Sequence, residues 1–262
     1  MIKYQKNINK RCIWCLESED IVSFNKKAHT IPKSLGGQNY NKYVCDTCNE
    51  YFGATSKLNK YSIEEALKET FCISRQIFLN KNTKRKVGNF KSKFFEVKER
   101  NGKLRLGVKT LFKFNSEFQK EFCRNFKRGL IKMWFEEFDR QTKHLNSCDI
   151  KYQVLRNFSR YNIGEFPVLY FKRKIGIFIL SEREAETPVL VLGRMKYLLE
   201  NDKFTEIEFL GHVFGFPYTE CTEEDFQKYI QDSLELKKDH FSEAIMIDKL
   251  IDIDFALTIL NK

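Results

Sequence analysis

The sequence predicts an α+β protein with a zinc-braced N-terminal module followed by mixed helix and hairpin regions. Three observations predict it. Two Cys-x-x-Cys pairs, Cys12/Cys15 and Cys45/Cys48, stand 29 residues apart, which is the arithmetic of a four-thiolate tetrahedral zinc site. Beyond residue 60 the apolar pattern alternates between helical and strand-like periods. A hydrophobic content of 42% with 25 phenylalanines suffices for a packed core in 262 residues. The chain divides by pattern into 1–55, the cysteine module; 56–145, a basic helix-and-hairpin middle; and 146–262, a mixed C-terminal part to which no chemistry is assigned.

In the first part, the opening residues form an extended lead-in to the first knuckle. Residues 20–28, with Ile21, Val22 and Phe24, are expected to form the strand that delivers His29. Gly36-Gly37 permit the backbone of a tight loop. A helix is expected to begin near Asn49 and to bury Tyr51, Phe52 or both. Lys26, Lys27 and Lys33 flank this region as candidate phosphate contacts. The remaining cysteines and His144, His212 and His240 lack ligand spacing and read as structural or surface residues.

The run Ala28-His29-Thr-Ile-Pro-Lys-Ser-Leu-Gly-Gly37, followed by Cys45-Asp-Thr-Cys48-Asn49, resembles the HNH endonuclease family, the zinc-bound ββα-metal nucleases. The likeness covers about residues 10 to 55. It implies that His29 is the general base that activates water and that Asn49 holds the catalytic metal. It also implies that Asn41, with Asn39 as competitor, braces the loop behind the histidine. The cofactors implied are a structural Zn²⁺ on Cys12, Cys15, Cys45 and Cys48 and a separate catalytic Mg²⁺ or Mn²⁺, since four thiolates leave zinc no open position. One departure stands out: the family commonly has an acidic residue or histidine just before the catalytic His, and here it is Ala28. The carboxylates nearest in sequence are Glu50, Asp46, Glu19 and Asp20. The implied activity is hydrolysis of phosphodiesters in double-stranded DNA, with RNA the weaker variant. Free-standing modules of this kind resemble components of bacterial anti-phage systems. A zinc ribbon without catalysis, binding nucleic acid or holding an assembly, is the alternative.

In the middle part, Ser62-Ile-Glu-Glu65 reads as a capping box opening a helix over 62–79. Lys81 to Lys86 is a basic turn. Asn101-Gly102 marks a hairpin between strands at about 93–98 and 103–109. Over 116–143, Phe118, Phe122, Phe126, Leu130, Trp134 and Phe138 repeat every four residues, as do Lys120, Arg124, Arg128 and Lys132. These are nearly opposite faces of one helix, an aromatic face that packs and a basic face expected to run along a DNA backbone through Arg124 and Arg128.

The last part is expected to contain strands at 166–171, 174–180, 187–192 and 204–214, a helix from the Thr222 cap to Lys238, and a buried helical stretch over 241–260. The net charge of +11 is unevenly spread: +3 over residues 1–53, +13 over 54–145 and −5 over 146–262. A polyanion partner is therefore expected on the middle part, and a partner subunit or second copy on the acidic last part. No apolar run approaches the ~18 residues a bilayer span needs. The start, Met-Ile-Lys-Tyr-Gln-Lys, lacks an apolar leader, so the expected setting is the cytoplasm with reduced thiols.

Overall fold

The structure, a computed structural model, describes residues 10–55, 60–78, 92–101, 103–174, 188, 190–193, 203–236 and 239–255. The expected lead-in over 1–9, the basic turn at 81–86, the strand residues 175–180 and the tail 256–260 lie outside them. Strands β1 (Ala28–His29) and β2 (Tyr40–Asn41) pair antiparallel and are followed by helix α1 (Asp46–Gly53). Helices α2 (Ile63–Thr70) and α3 (Cys72–Phe78) lead to the hairpin of β3 (Phe95–Arg100) and β4 (Lys103–Val108). The long helix α4 (Ser116–Gln141) comes next, then a short helix α5 (Gln153–Leu155) that runs into a π-helical turn, Arg156–Arg160. Strands β5 (Leu169–Arg173), β6 (Leu190–Leu192), β7 (Phe204–Phe209), β8 (His212–Pro217) and β9 (Phe241–Met246) form an antiparallel sheet in the order β6-β7-β8-β5-β9, with helix α6 (Glu223–Leu236) between β8 and β9.

Helix α4 is the middle layer. Asn115 caps it by accepting from the Phe118 amide at 2.9 Å. Its aromatic face meets the sheet: Phe126 packs on Phe214, Trp134 packs edge-on against Phe216, and Trp134 Nε1 donates to Thr205 Oγ1 at 3.0 Å. The other face is also covered, by the cysteine module. Arg128 and Lys132 are fully buried, so the expected basic stripe is not a DNA-facing surface. Arg128 donates to Ser159 O, Asn125 Oδ1 and the Tyr51 hydroxyl, while Arg124 is bound to Glu165 and to the carbonyls of Asn162 and Gly164. Cations can face a second protein layer when that layer supplies oxygen acceptors, and here it does. One hydrophobic cluster extends from Cys12 through α4 to Ile253, and a smaller one lies under α6 around Phe204 and Tyr229.

Four local expectations are corrected. The helix expected over 62–79 breaks at Phe71, whose ring is buried between Phe126 and Phe209. The strand expected over 204–214 is the hairpin of β7 and β8, turned by Leu210 (φ 47°) and Gly211 (φ 82°), a two-residue loop of left-handed conformations. Residues 241–246 form strand β9 rather than a helix, because β5 offers its free edge to them. Only Ala28–His29 are strand in the stretch before the histidine, since the Asp46 carboxylate gathers residues 23–26 into a turn.

Candidate metal centres and nuclease site

The first knuckle is closed by Leu16, in a left-handed conformation (φ 63°), whose amide donates to Cys12 O at 2.9 Å. The second is the start of α1, three residues earlier than expected: Cys45 is the N-cap and its sulfur accepts from the Cys48 amide at 3.5 Å. The four sulfurs lie within 4.8 Å of one another, and Cys15 and Cys45 are 3.7 Å apart. Four thiolates at the usual Zn–S distance of about 2.3 Å form a tetrahedron with edges of about 3.8 Å. The donor set therefore fits a closed structural zinc site. Hydrogen bonds among the sulfurs push the Cys12 thiol up and pull Cys15 down to about 2. Arg160 Nε donates to Cys48 Sγ at 3.3 Å and the Cys45 amide to Cys12 Sγ at 3.4 Å, offsetting part of the thiolate charge.

The module is docked by its own apolar and polar groups. Trp14, inside the first knuckle, is fully buried against Phe52 and Phe135 and donates from Nε1 to Glu136 Oε1 at 3.0 Å. Arg156 clasps the same knuckle from the far side, donating to Ile13 O at 2.8 Å and to the carbonyls of Ser147 and Asp149.

His29 ends β1, opposite Tyr40. Its half-buried ring is oriented by Nδ1, 3.2 Å from Lys27 O. A carbonyl can only accept, so Nδ1 is the donor, and in the neutral tautomer Nε2 is the nitrogen with the lone pair. Beyond it the chain turns through Pro32 into a single 3₁₀ turn, Lys33–Leu35. Gly36 has φ 93°, and a Cβ on Gly37 would stand 1.8 Å from Ile31 O, so both glycines are required by geometry. Arg75 of α3 pins this loop by donating to Ser34 O at 2.7 Å. From below, Lys132 Nζ donates to His29 O at 2.9 Å and to Glu136 Oε2 at 3.0 Å. Burial pushes Glu136 up to about 7 against the pull of Lys132 and Trp14.

Asn41 is buried and ties β2 to α4. Its Nδ2 donates to Glu136 O at 2.8 Å and Asp139 Oδ2 at 2.7 Å, and its Oδ1 accepts from the Tyr43 amide at 2.6 Å. The competing Asn39 is exposed, and its backbone carbonyl takes the Thr30 amide. Asp139 also holds His144, whose Nδ1 is 2.7 Å away. Burial opposes the imidazolium, but the bonds to Asp139 and Cys148 outweigh it and lift His144 to about 9.

Asn49 sits in the first turns of α1 with its side chain half-buried, and among the described residues its carboxamide makes no hydrogen bond. The carboxylates near in sequence are engaged. Asp46 accepts from Ser23 and from the amides of Asn25 and Lys26, which hold it below the usual carboxylate range in spite of its desolvation. Glu50 pairs with Lys26, and Glu19 accepts from the Lys10 amide at 3.1 Å. Ala28 is fully buried. One carboxylate that sequence reading passed over comes close: Glu64, in the first turn of α2, has Oε1 3.5 Å from Lys132 Nζ and Oε2 3.8 Å from where a Cβ on Gly53 would be. In the sequence it reads only as an intervening residue of the Ser62-Ile-Glu-Glu65 cap.

Of the expected phosphate contacts, Lys33 is exposed, Lys27 is exposed with its ammonium 5.1 Å over the Tyr40 ring, and Lys26 is paired with Glu50. Among the described residues no helix is long and apolar enough to cross a membrane. Residues 12–60 match the family model described as HNH endonuclease, and this segment carries both knuckles, His29, Asn41 and Asn49. No curated protein and no solved structure matches the chain.

Proposed function

We propose, from the HNH endonuclease match over residues 12–60, that the protein hydrolyses phosphodiester bonds in double-stranded DNA with the aid of a divalent cation. The observation that carries this reading is His29: an imidazole whose Nδ1 is committed to a carbonyl and whose Nε2 is left to accept a proton from water, on a loop fixed by Lys132, Arg75 and two obligatory glycines. Asn49 offers a neutral oxygen toward a hard cation. A Mg²⁺ or Mn²⁺ bound there would neutralise charge on the scissile phosphate and leaving oxygen. Asn41 touches no substrate in this scheme and sets the position of β2 against α4. Zinc on the four cysteines is a brace. Exposed Lys27 and Lys33 supply phosphate contacts beside the histidine. As a setting we propose damage to invading DNA, with the acidic C-terminal part facing a partner subunit or a second copy.

A second reading rests on Ala28: without an acidic residue at that position the module could serve as a zinc-braced nucleic-acid-binding subunit. Plasmid nicking in Mg²⁺ or Mn²⁺ separates the two. The nuclease nicks, and His29→Ala abolishes nicking while leaving DNA retention in a gel intact. A native protein that retains DNA and never nicks it supports the binding subunit.

A further inference from the structure

We infer that Glu64 supplies the carboxylate missing at Ala28, forming with Asn49 an oxygen site for the catalytic divalent cation; this rests on the nuclease reading above. Three observations converge. Lys132 lies between two acids, Glu136 and Glu64. Glu136 is enclosed and takes donors on both oxygens, whereas Glu64 sits at the solvent edge with its side chain 29% exposed. Whenever Glu136 is ionised, two carboxylates share one ammonium, and Glu64 is the one of the two that a cation can reach from water.

The second observation is position. Lys132 Nζ is 2.9 Å from His29 O and 3.5 Å from Glu64 Oε1, so Glu64 lies within the sum of those distances from the backbone of the proposed base. Glu64 Oε2 faces α1 at Gly53, one helical turn beyond Asn49 on the same side of the helix. Side chains on a helix lean toward its N-terminus, so the space over Gly53 opens toward Asn49. Among the described residues, Oε2 has no hydrogen-bond partner of its own.

The third is donor chemistry. A carboxylate oxygen, a carboxamide oxygen, waters and substrate phosphate form an ordinary Mg²⁺ set, while a carboxamide alone does not. Of the nearer acids in sequence, Asp46 is filled by three donors, and Glu50, in an exposed pair with Lys26, is the rival that the test below includes.

The test uses the zinc-loaded 262-residue chain and Mn²⁺ as probe, with binding followed by loss of the free-ion electron paramagnetic resonance signal and nicking measured against Mg²⁺ concentration. Glu64→Gln removes charge but keeps an oxygen that accepts from Lys132, so zinc content and melting temperature should match the native protein. We expect Mn²⁺ affinity to fall at least about tenfold and the Mg²⁺ midpoint of nicking to rise in step. Glu64→Asp, which keeps the charge on a shorter arm, should fall between and reports on the site even if the Gln variant folds poorly. If the native protein nicks but both Glu64 variants bind Mn²⁺ as it does, or if Glu50→Gln carries the loss instead, the assignment is wrong while the nuclease stands. If the native protein neither binds Mn²⁺ nor nicks, the nuclease reading itself fails.

Discussion

Replacing Asn41 tests how the proposed nuclease loop is fixed to the rest of the molecule. The buried carboxamide makes three hydrogen bonds, to Glu136 O, Asp139 Oδ2 and the Tyr43 amide, at 2.6–2.8 Å. In Asn41→Ala the bond to the Asp139 carboxylate is lost, worth about 1.5–3 kcal/mol, and the partly buried Tyr43 amide loses its acceptor, costing about 1–2 kcal/mol more. The Glu136 carbonyl loses a donor as well. The expected loss is therefore about 3–5 kcal/mol, which for a chain of this size lowers Tm by roughly 10 °C or more. Asn41→Asp has the same shape and should be worse at pH 8, because it sets a carboxylate against Asp139 in a buried site; lowering the pH toward 5, where the pair can share a proton, should recover much of the difference. Urea unfolding of zinc-saturated protein at both pH values measures each term. A loss under 1 kcal/mol for the alanine variant, or an aspartate variant as stable as native at pH 8, would refute the view that this side chain holds the hairpin to α4.

Gly37→Ala places a Cβ 1.8 Å from Ile31 O, so the turn after His29 must move; a destabilisation of about 3 kcal/mol in urea unfolding is expected, and a fully stable variant would show that the loop accommodates it freely. His144 gives a pH signature: its folded value of about 9 exceeds the ordinary 6.5, so its stabilisation is complete below about pH 6.5 and is lost as pH rises through 9. Across that window the native protein should lose about 2–3 kcal/mol relative to His144→Gln in chemical unfolding, and parallel curves would mean that the Asp139 pair does not carry the charge.

How far the sequence reveals this molecule depends on whether a feature is made by neighbours in the chain. The cysteine quartet and the Gly36-Gly37 turn are such features. The spacing of ligands and the demand for φ of 93° at Gly36 are local facts, and the sulfurs do converge within 4.8 Å. The N-caps at Ser62 and Thr222 are local too, with Ser62 accepting from Glu65 N and Thr222 from Asp225 N; only Thr222 completes the reciprocal box, its amide donating to Asp225 Oδ2, whereas the Glu65 carboxylate pairs with Lys93. Strand β9 is not, because residues 241–246 become a strand by lying along β5, some seventy positions away. Lys132 shows the same limit more sharply. Its four-residue spacing from Arg128 marks a polar helix face, but whether that face meets water or a second protein layer depends on where Trp14 and His29 dock. The absence of an acid at Ala28 was visible; that Glu64 comes up beside Lys132 was not, because 67 positions of chain lie between them and only the packing of α2 on α4 brings them together.

That burial changes what the net charge means. The middle stretch carries an excess of 13 positive charges, which by itself suggests a broad cationic face for DNA. Yet Arg75, Lys127, Arg128 and Lys132 are buried, and each has oxygen partners inside the protein: Ser34 O, Phe166 O, Ser159 O and His29 O among them. Arg124 is committed to the loop at 162–165. These cations hold layers together and cannot also release counterions from a phosphate backbone. Charge available to a polyanion is therefore smaller than the composition implies; Lys27, Lys33 and Lys42 are exposed in the cysteine module, and Lys113, Lys120 and Lys143 are exposed on the middle part. The burial that removes Arg128 and Lys132 from any DNA-facing surface thus leaves exposed cations on both parts of the chain, and under the proposed function Lys27 and Lys33, which flank His29 in the sequence, are the ones that would act next to the proposed base.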